Sequence, residues 1–135
     1  MQKLHLHYAT ICYESPIVYL TFKQGVELGF PELQEIIHYS EKFSGEKPYV
    51  VLSDVRNPAI TITPEGRKFS SNEKNSPFHR GVAVLTNNAL IKVAANFFSD
   101  IRKPAFPFRA FTDEQKAIDW LLTLPLEEAP PSSDC

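Results

Sequence analysis

The side chains that could act on or hold another molecule gather just after two apolar runs. Asp54, Arg56 and Asn57 follow the run that begins at Tyr49, and Asn87 and Asn88 follow Gly81–Thr86. In an open α/β sheet, ligands bind beyond the carboxyl ends of the parallel strands, so these two groups would share one polar rim. The plainer reading needs no ligand: Asp and Asn make turns and cap helices, and Arg56 can pair with Asp54. Thr61 and Thr63 precede a helix-like stretch. A phosphate there would be favourable, yet Thr63 is explained as an ordinary N-cap. General acid–base work by Asp54 with His79 or Arg56 requires those groups to converge in a cleft. His79-Arg80 is read as a solvated loop pair and His38 as a helix-boundary residue. His5 and His7 would share a strand face but lack a third ligand, so no metal site is expected. Cys12 lies in a strand-like run and reads as a small core residue. Cys135 ends the chain, and the two thiols have no metal or disulfide spacing. There is no Gly-x-Ser-x-Gly elbow, Walker loop or dinucleotide glycine cluster, and five glycines leave little to cradle a phosphate. No catalytic residue and no cofactor are expected.

The whole chain sets limits on partners. Its 135 residues suit one domain able to bury a core without staples. The 43% hydrophobic and 22% charged content excludes a wholly disordered or collagen-like chain. A net charge of −2 excludes a general polyanion or membrane binder. Charge is uneven, however. Between Arg56 and Arg109 stand nine basic and three acidic residues. That excess is either a basic face for a phosphorylated partner or headgroup, or scattered solvated charge. No Lys/Arg run exceeds two, so nucleic acid is not expected. No apolar run nears the roughly 18–20 residues that span a bilayer, and the N-terminus lacks a signal pattern. A cytoplasmic protein with reduced thiols is expected.

Periodicity then sets the elements. His7–Glu14 and Ile17–Lys23, separated by Ser15-Pro16, predict an antiparallel hairpin. Val18, Leu20 and Phe22 form its core face. Pro31–Phe43 predicts a helix with Leu33, Ile36, Ile37, Ser40 and Phe43 inward, stopped at Gly45. Tyr49–Val55 reads as a central strand covered on both faces. A short, weakly packed helix begins near Thr63-Pro64-Glu65. Gly81–Thr86 is a further buried strand. The next helix, capped by Asn87 or Asn88, carries an apolar stripe of Leu90, Val93, Ala94, Phe97 and Ile101 and ends at Pro104. Phe106–Phe111 is a strand whose Pro107 suits an edge. Thr112 as N-cap and Gln115 at N3 open the last helix, with Ala117, Ile118, Leu121 and Leu122 as its stripe. Residues 125–135, rich in acids, serine and proline, are expected to be a disordered tail after a domain over 1–124.

The order ββαβαβαβα implies an α/β fold, a mixed sheet with an N-terminal antiparallel hairpin and parallel later strands. That order resembles the STAS-like domains of anti-sigma factor antagonists and sulphate transporter tails. The words that carry the resemblance are YVVLSDVR, ITPEGRKF and NFFSDIRKPAFPFRAFTDEQKAIDWL. The last is similar to the closing strand and helix of the SpoIIAA-like branch, over roughly residues 5–124. The antagonists carry a phosphorylatable serine at the start of the helix after the third strand. Here the matching stretch reads Thr63-Pro64-Glu65-Gly66, so the usual serine is missing and Thr61 and Thr63 are the nearest hydroxyls. The resemblance implies a non-catalytic module acting through protein contact, a homodimer included, with Asp54 to Thr63 and the following helix as the surface. It also implies a second possibility, because that branch is grouped with lipid-transfer-type folds. The aromatic-rich last third would then line a pocket for a small apolar ligand under the C-terminal helices.

Overall fold

The structure is a computed structural model that describes residues 2–56, 60–70, 72–101 and 106–126. Asn57, Pro104 and the stretch 127–135 lie outside the described residues. Among the described residues eight strands and four α-helices follow one another: β1 (Gln2–His5), β2 (Ala9–Glu14), β3 (Ile17–Phe22), β4 (Glu27–Leu28), α1 (Phe30–Ser44), β5 (Tyr49–Asp54), β6 (Thr61–Ile62), α2 (Pro64–Ser70), β7 (His79–Leu85), α3 (Ala89–Ile101), β8 (Phe108–Phe111) and α4 (Glu114–Leu121). The main sheet runs β1-β2-β3-β5-β7-β8, and β4 and β6 form a small parallel pair. Pairing is antiparallel through β1, β2 and β3 and parallel from β3 to β8. The expected mixed sheet is therefore present. The added β1, β4 and β6 are short pieces with too little alternation to announce themselves.

The two faces of the sheet follow from strand alternation. Val18, Leu20 and Val51 face α1 and join Tyr8, Ile11 and Ile36 in one core cluster. Ile17, Val50, Leu52, Ala83 and Leu85 face α4 and bury Ala117 and Leu121. Tyr49, Val50, Val51 and Leu52 of β5 are all buried, as a central parallel strand requires. Leu124 and Leu126 also pack on the α4 cluster.

Helix ends are set by local chemistry. Gly29 caps α1, and Glu32 Oε1 accepts its N–H at 2.8 Å. Gly45 ends the helix in the left-handed region at φ 69°, where a side chain would be strained. Ser40 sits on the buried face of α1 because its hydroxyl donates to the Ile36 carbonyl at 2.7 Å. In α4 the N-cap is Asp113, whose carboxylate accepts from Lys116 N–H at 3.1 Å. The expected Thr112 cap is thus displaced by one residue; the carboxylate outcompetes the hydroxyl at the start of the turn.

The largest departure concerns α3. Its apolar stripe does not enter the core: Leu90 is 80% exposed, Val93 64%, Phe97 60% and Ile101 63%. The opposite face meets the sheet. Asn96 accepts from Ala110 N–H at 2.7 Å and donates to the Ala110 carbonyl at 3.1 Å, and the Ser99 hydroxyl donates to the Phe108 carbonyl at 3.3 Å. β8 is an edge strand whose outer backbone groups need partners. A polar helix face satisfies them, and the apolar face is turned outward.

Gly66 on α2 is buried where α2 crosses α1. A Cβ there would stand 2.9 Å from the Leu28 carbonyl oxygen and 3.1 Å from Leu33 Cδ1. In an open helix Gly→Ala stabilises by about 0.5–1 kcal/mol. Here Gly66→Ala is expected to destabilise by about 1–3 kcal/mol through overpacking against backbone, read as a fall in urea midpoint at unchanged m.

Candidate functional site

The rim residues come first. Asp54 binds its near neighbour: Arg56 Nη2 donates to Oδ2 at 2.8 Å, and Arg56 Nε and the Arg56 backbone N–H donate to Oδ1, each at 3.1 Å. Arg56 Nη2 also lies 3.4 Å from Glu114 on α4. Partial burial pushes the Asp54 carboxyl up, but the Arg56 hydrogen bonds and charge outweigh it and hold it below the usual range. Thr63 Oγ1 accepts from Gly66 N–H at 3.0 Å and so caps α2. Asn88 Oδ1 accepts from Leu90 and Ile91 N–H at 2.9 and 3.2 Å and caps α3. Asn87 and Thr61 are exposed, and the Thr61 backbone donates to Val26. Asp54 and Arg56 are brought together, Thr63 and Asn88 cap helices, and Thr61 and Asn87 stand exposed beside them.

His79 is not a loop residue. It opens β7, where it pairs in register with Tyr49, while Asp54 pairs with Leu85 at the far end of the same two strands. Asp54 and His79 are therefore separated by about 17 Å along the strands. The proposed Asp54–His79 acid–base pair is ruled out by that geometry. His38 is exposed and packs edge-on to Tyr39. His5 Nδ1 meets Thr10 Oγ1 at 3.3 Å. Cys12 is half-buried and free on β2. Among the described residues no group of three or more His, Cys, Asp and Glu is placed to hold a metal. Among them, too, no helix is long and apolar enough to cross a membrane.

A cavity of about 520 Å³ opens on the α1 face of the sheet. Its floor includes Val51 and Ser53 of β5, Val82 and Val84 of β7, and Phe108 of β8. Leu33, Ile36 and Ile37 of α1 form a wall, and Ile60 and Ile62 contribute from the segment before α2. Among the described residues none from α3 or α4 lines it, so this cavity is not the pocket expected under the C-terminal helices. The α4 face is filled instead, with Ala117 and Leu121 at 0% and 1% exposure. Two physical causes leave the gap. The β5 and β7 part of the floor carries only short side chains, Val51, Ser53, Val82 and Val84, and α3 is tied to the outer edge of β8.

His79 stands in the cavity wall. Its ring lies 4.2 Å from Phe106 and 5.7 Å from Tyr49, centroid to centroid. Its Nδ1 is buried and has no hydrogen-bond partner. Burial, with the nearby Arg80 charge adding to it, pushes the imidazole down to about 4 from its ordinary 6.5. A depressed histidine stabilises the fold fully above the unfolded value. That contribution is lost as pH falls from about 6.5 towards 4, because the unfolded chain takes up the proton first. Acidification over that window is expected to cost on the order of 2 kcal/mol. Chemical denaturation at stepped pH should show the loss in the wild type and a flatter profile in His79→Gln.

Sequence reasoning missed this site because its members are scattered over eight elements and the segments between them, and are mostly aliphatic. The usable signal was the run of short residues on alternate positions of β5 and β7, Val51, Ser53, Val82 and Val84.

The antiparallel hairpin leading into a parallel sheet, with helices between the later strands, matches a SpoIIAA-like fold. The chain belongs to the family described as Domain of unknown function (DUF7793), whose model matches residues 11–124. Its fold is similar to the crystal structure of an uncharacterized protein of the DUF3478 family, with a SpoIIAA-like fold, from Shewanella loihica PV-4. The two share 19% identity at a TM-score of 0.55, over 84% of this chain and 91% of that one. That likeness establishes the fold. No curated protein matches the chain.

Proposed function

We propose that this domain binds a small apolar molecule in the cavity between α1 and the sheet. The observation that carries the reading is the cavity itself: about 520 Å³, walled mainly by aliphatic and aromatic side chains with a few serines and His79. Ligand sites commonly occupy about 300–1,000 Å³ with such a lining. At about 30 Å³ per water-sized group, the space suits roughly 17 non-hydrogen atoms. The side chains of Asp54, Arg56, Thr63 and Asn88 spend their hydrogen bonds on caps and on each other, which favours the cavity as the site. Titration with diphenylhexatriene, a hydrocarbon fluorophore of about that size, tests the reading. Saturable emission at one molecule per chain is expected. Emission no greater than that over an unrelated folded protein would overturn it.

A second reading rests on α3. Its exposed apolar stripe is the kind of patch that marks a contact surface. A second copy of the chain is the occupant we assign. Four exposed apolar residues make a small patch beside the about 800 Å² per partner of stable interfaces, so the association would be weak. Sedimentation velocity is expected to show a concentration-dependent monomer–dimer equilibrium. Val93→Glu should return it to monomer without changing the circular dichroism.

A further inference from the structure

The floor of the cavity carries a hydroxyl that a pure hydrocarbon would leave without a partner. Ser53 lies on β5, which pairs with β3 on one side and β7 on the other, so its backbone edges are closed. Strand alternation puts its side chain on the face of Val51, which packs in the α1 cluster, while Leu52 packs on α4. Ser53 is nevertheless only half-buried, as are its floor neighbours Val82 and Val84, and all three line the cavity. The surface that Ser53 leaves open therefore faces the cavity. Among the described residues nothing hydrogen-bonds to its Oγ, and the unpartnered side-chain atom sealed from solvent is His79 Nδ1, so the serine oxygen is open. The other serines of the wall differ. The Ser40 hydroxyl donates to the Ile36 carbonyl and the Ser70 hydroxyl to the Arg67 carbonyl, and Ser76 is only 4% exposed. We propose, building on the reading above, that the cavity takes an apolar molecule carrying one neutral oxygen, a hydroxyl or a carbonyl, hydrogen-bonded to Ser53 Oγ.

The chemistry of the hydroxyl narrows the class. A ligand that covers Ser53 strips its oxygen of water, and a hydrocarbon returns no hydrogen bond for the one lost. A serine hydroxyl both donates and accepts, so either a hydroxyl or a carbonyl on the ligand restores it. Among the described residues no lysine, arginine, aspartate or glutamate lines the cavity. A charged group would therefore leave water without gaining a counter-ion. The place of Ser53 also orients the ligand. It stands one residue before the carboxyl end of β5, and Tyr49, which lines the cavity too, opens the same strand. About 13 Å of strand separates the two. The ligand oxygen then sits near the carboxyl end of the sheet, and the hydrocarbon body runs towards Tyr49 and Phe106 at the amino end.

The test is competition against bound diphenylhexatriene at pH 7.5, in the wild type and in Ser53→Ala, which removes the oxygen and keeps the rest of the side chain. Four molecules of nearly one shape are compared: para-phenylphenol, biphenyl-para-carbaldehyde, para-fluorobiphenyl and biphenyl-para-carboxylate. In Ser53→Ala the phenol, the aldehyde or both are expected to lose about tenfold relative to the fluoro compound, because their oxygen is then buried unpaired. In the wild type the carboxylate is expected to be the weakest of the four. Ser53→Thr should keep the preference for an oxygen and Ser53→Val should lose it, and this pair of equal shape answers if Ser53→Ala does not fold. An unchanged ratio for both oxygen-bearing probes, or a carboxylate that binds best, would overturn the assignment to Ser53. Absence of fluorophore binding in the wild type would instead overturn the cavity reading beneath it.

Discussion

Replacing Ser53 with leucine and Val84 with phenylalanine together is expected to weaken diphenylhexatriene binding at least tenfold while leaving the protein as stable as before, or more so. The two residues are register partners on β5 and β7 and both line the cavity. Larger side chains at these positions grow into empty space rather than into packed neighbours. A void wall lacks dispersion partners on one side, so filling it adds contacts without the strain of overpacking. The same atoms remove the volume a ligand needs. Fluorescence titration and thermal denaturation, run on the same preparation, separate the two effects. Lost binding with an unchanged or raised Tm identifies the cavity as the binding space. Unchanged binding would move the fluorophore elsewhere, with the exposed stripe of α3 the first place to look.

The second large effect is on the other face. Leu121→Ala is expected to cost about 2–5 kcal/mol, the range for an aliphatic side chain removed from a filled core. Leu121 is 1% exposed and packs with Ala117 against Leu52, Ala83 and Leu85. Its neighbour Leu122 is 55% exposed, and Leu122→Ala should change stability by no more than about 0.5 kcal/mol. Equilibrium urea unfolding of the two variants reads the contrast directly. Comparable losses at both positions would mean that α4 is rotated on the sheet relative to the arrangement described here.

This pair also illustrates what a periodic sequence can and cannot convey. Ala117, Ile118, Leu121 and Leu122 all fit one helical stripe, but a stripe wide enough for four residues has margins, and Leu122 falls on one. The α3 stripe carries the same point further. Leu90, Val93, Phe97 and Ile101 identify a sided helix correctly, yet the side that meets the domain is the polar one. Periodicity reports that a helix has two faces. Which face is used depends on what the neighbouring element needs, and β8 needs hydrogen bonds for its open edge. His79 was misplaced for a related reason: a histidine beside arginine reads as solvated until the β5–β7 pairing draws it in next to Tyr49 and Phe106. The rim, by contrast, was well legible, because caps and turns are local. Thr63, Asn88 and the Asp54–Arg56 pair do what their types and spacing suggest.

The amino-acid sequence alone thus determined the longer elements and their order, all but the short β1, β4 and β6: the hairpin at Ser15-Pro16, the helix stop at Gly45, the central strand at Tyr49 and the edge strand after Pro107. These follow from side-chain period and backbone preference over a few adjacent residues, which act before any long-range contact exists. The tertiary structure decided what lies between the elements. The cavity, the outward turn of α3 and the unpaired nitrogen of His79 arise where residues far apart in the chain fail to fill or to satisfy one another, and no local pattern carries that information.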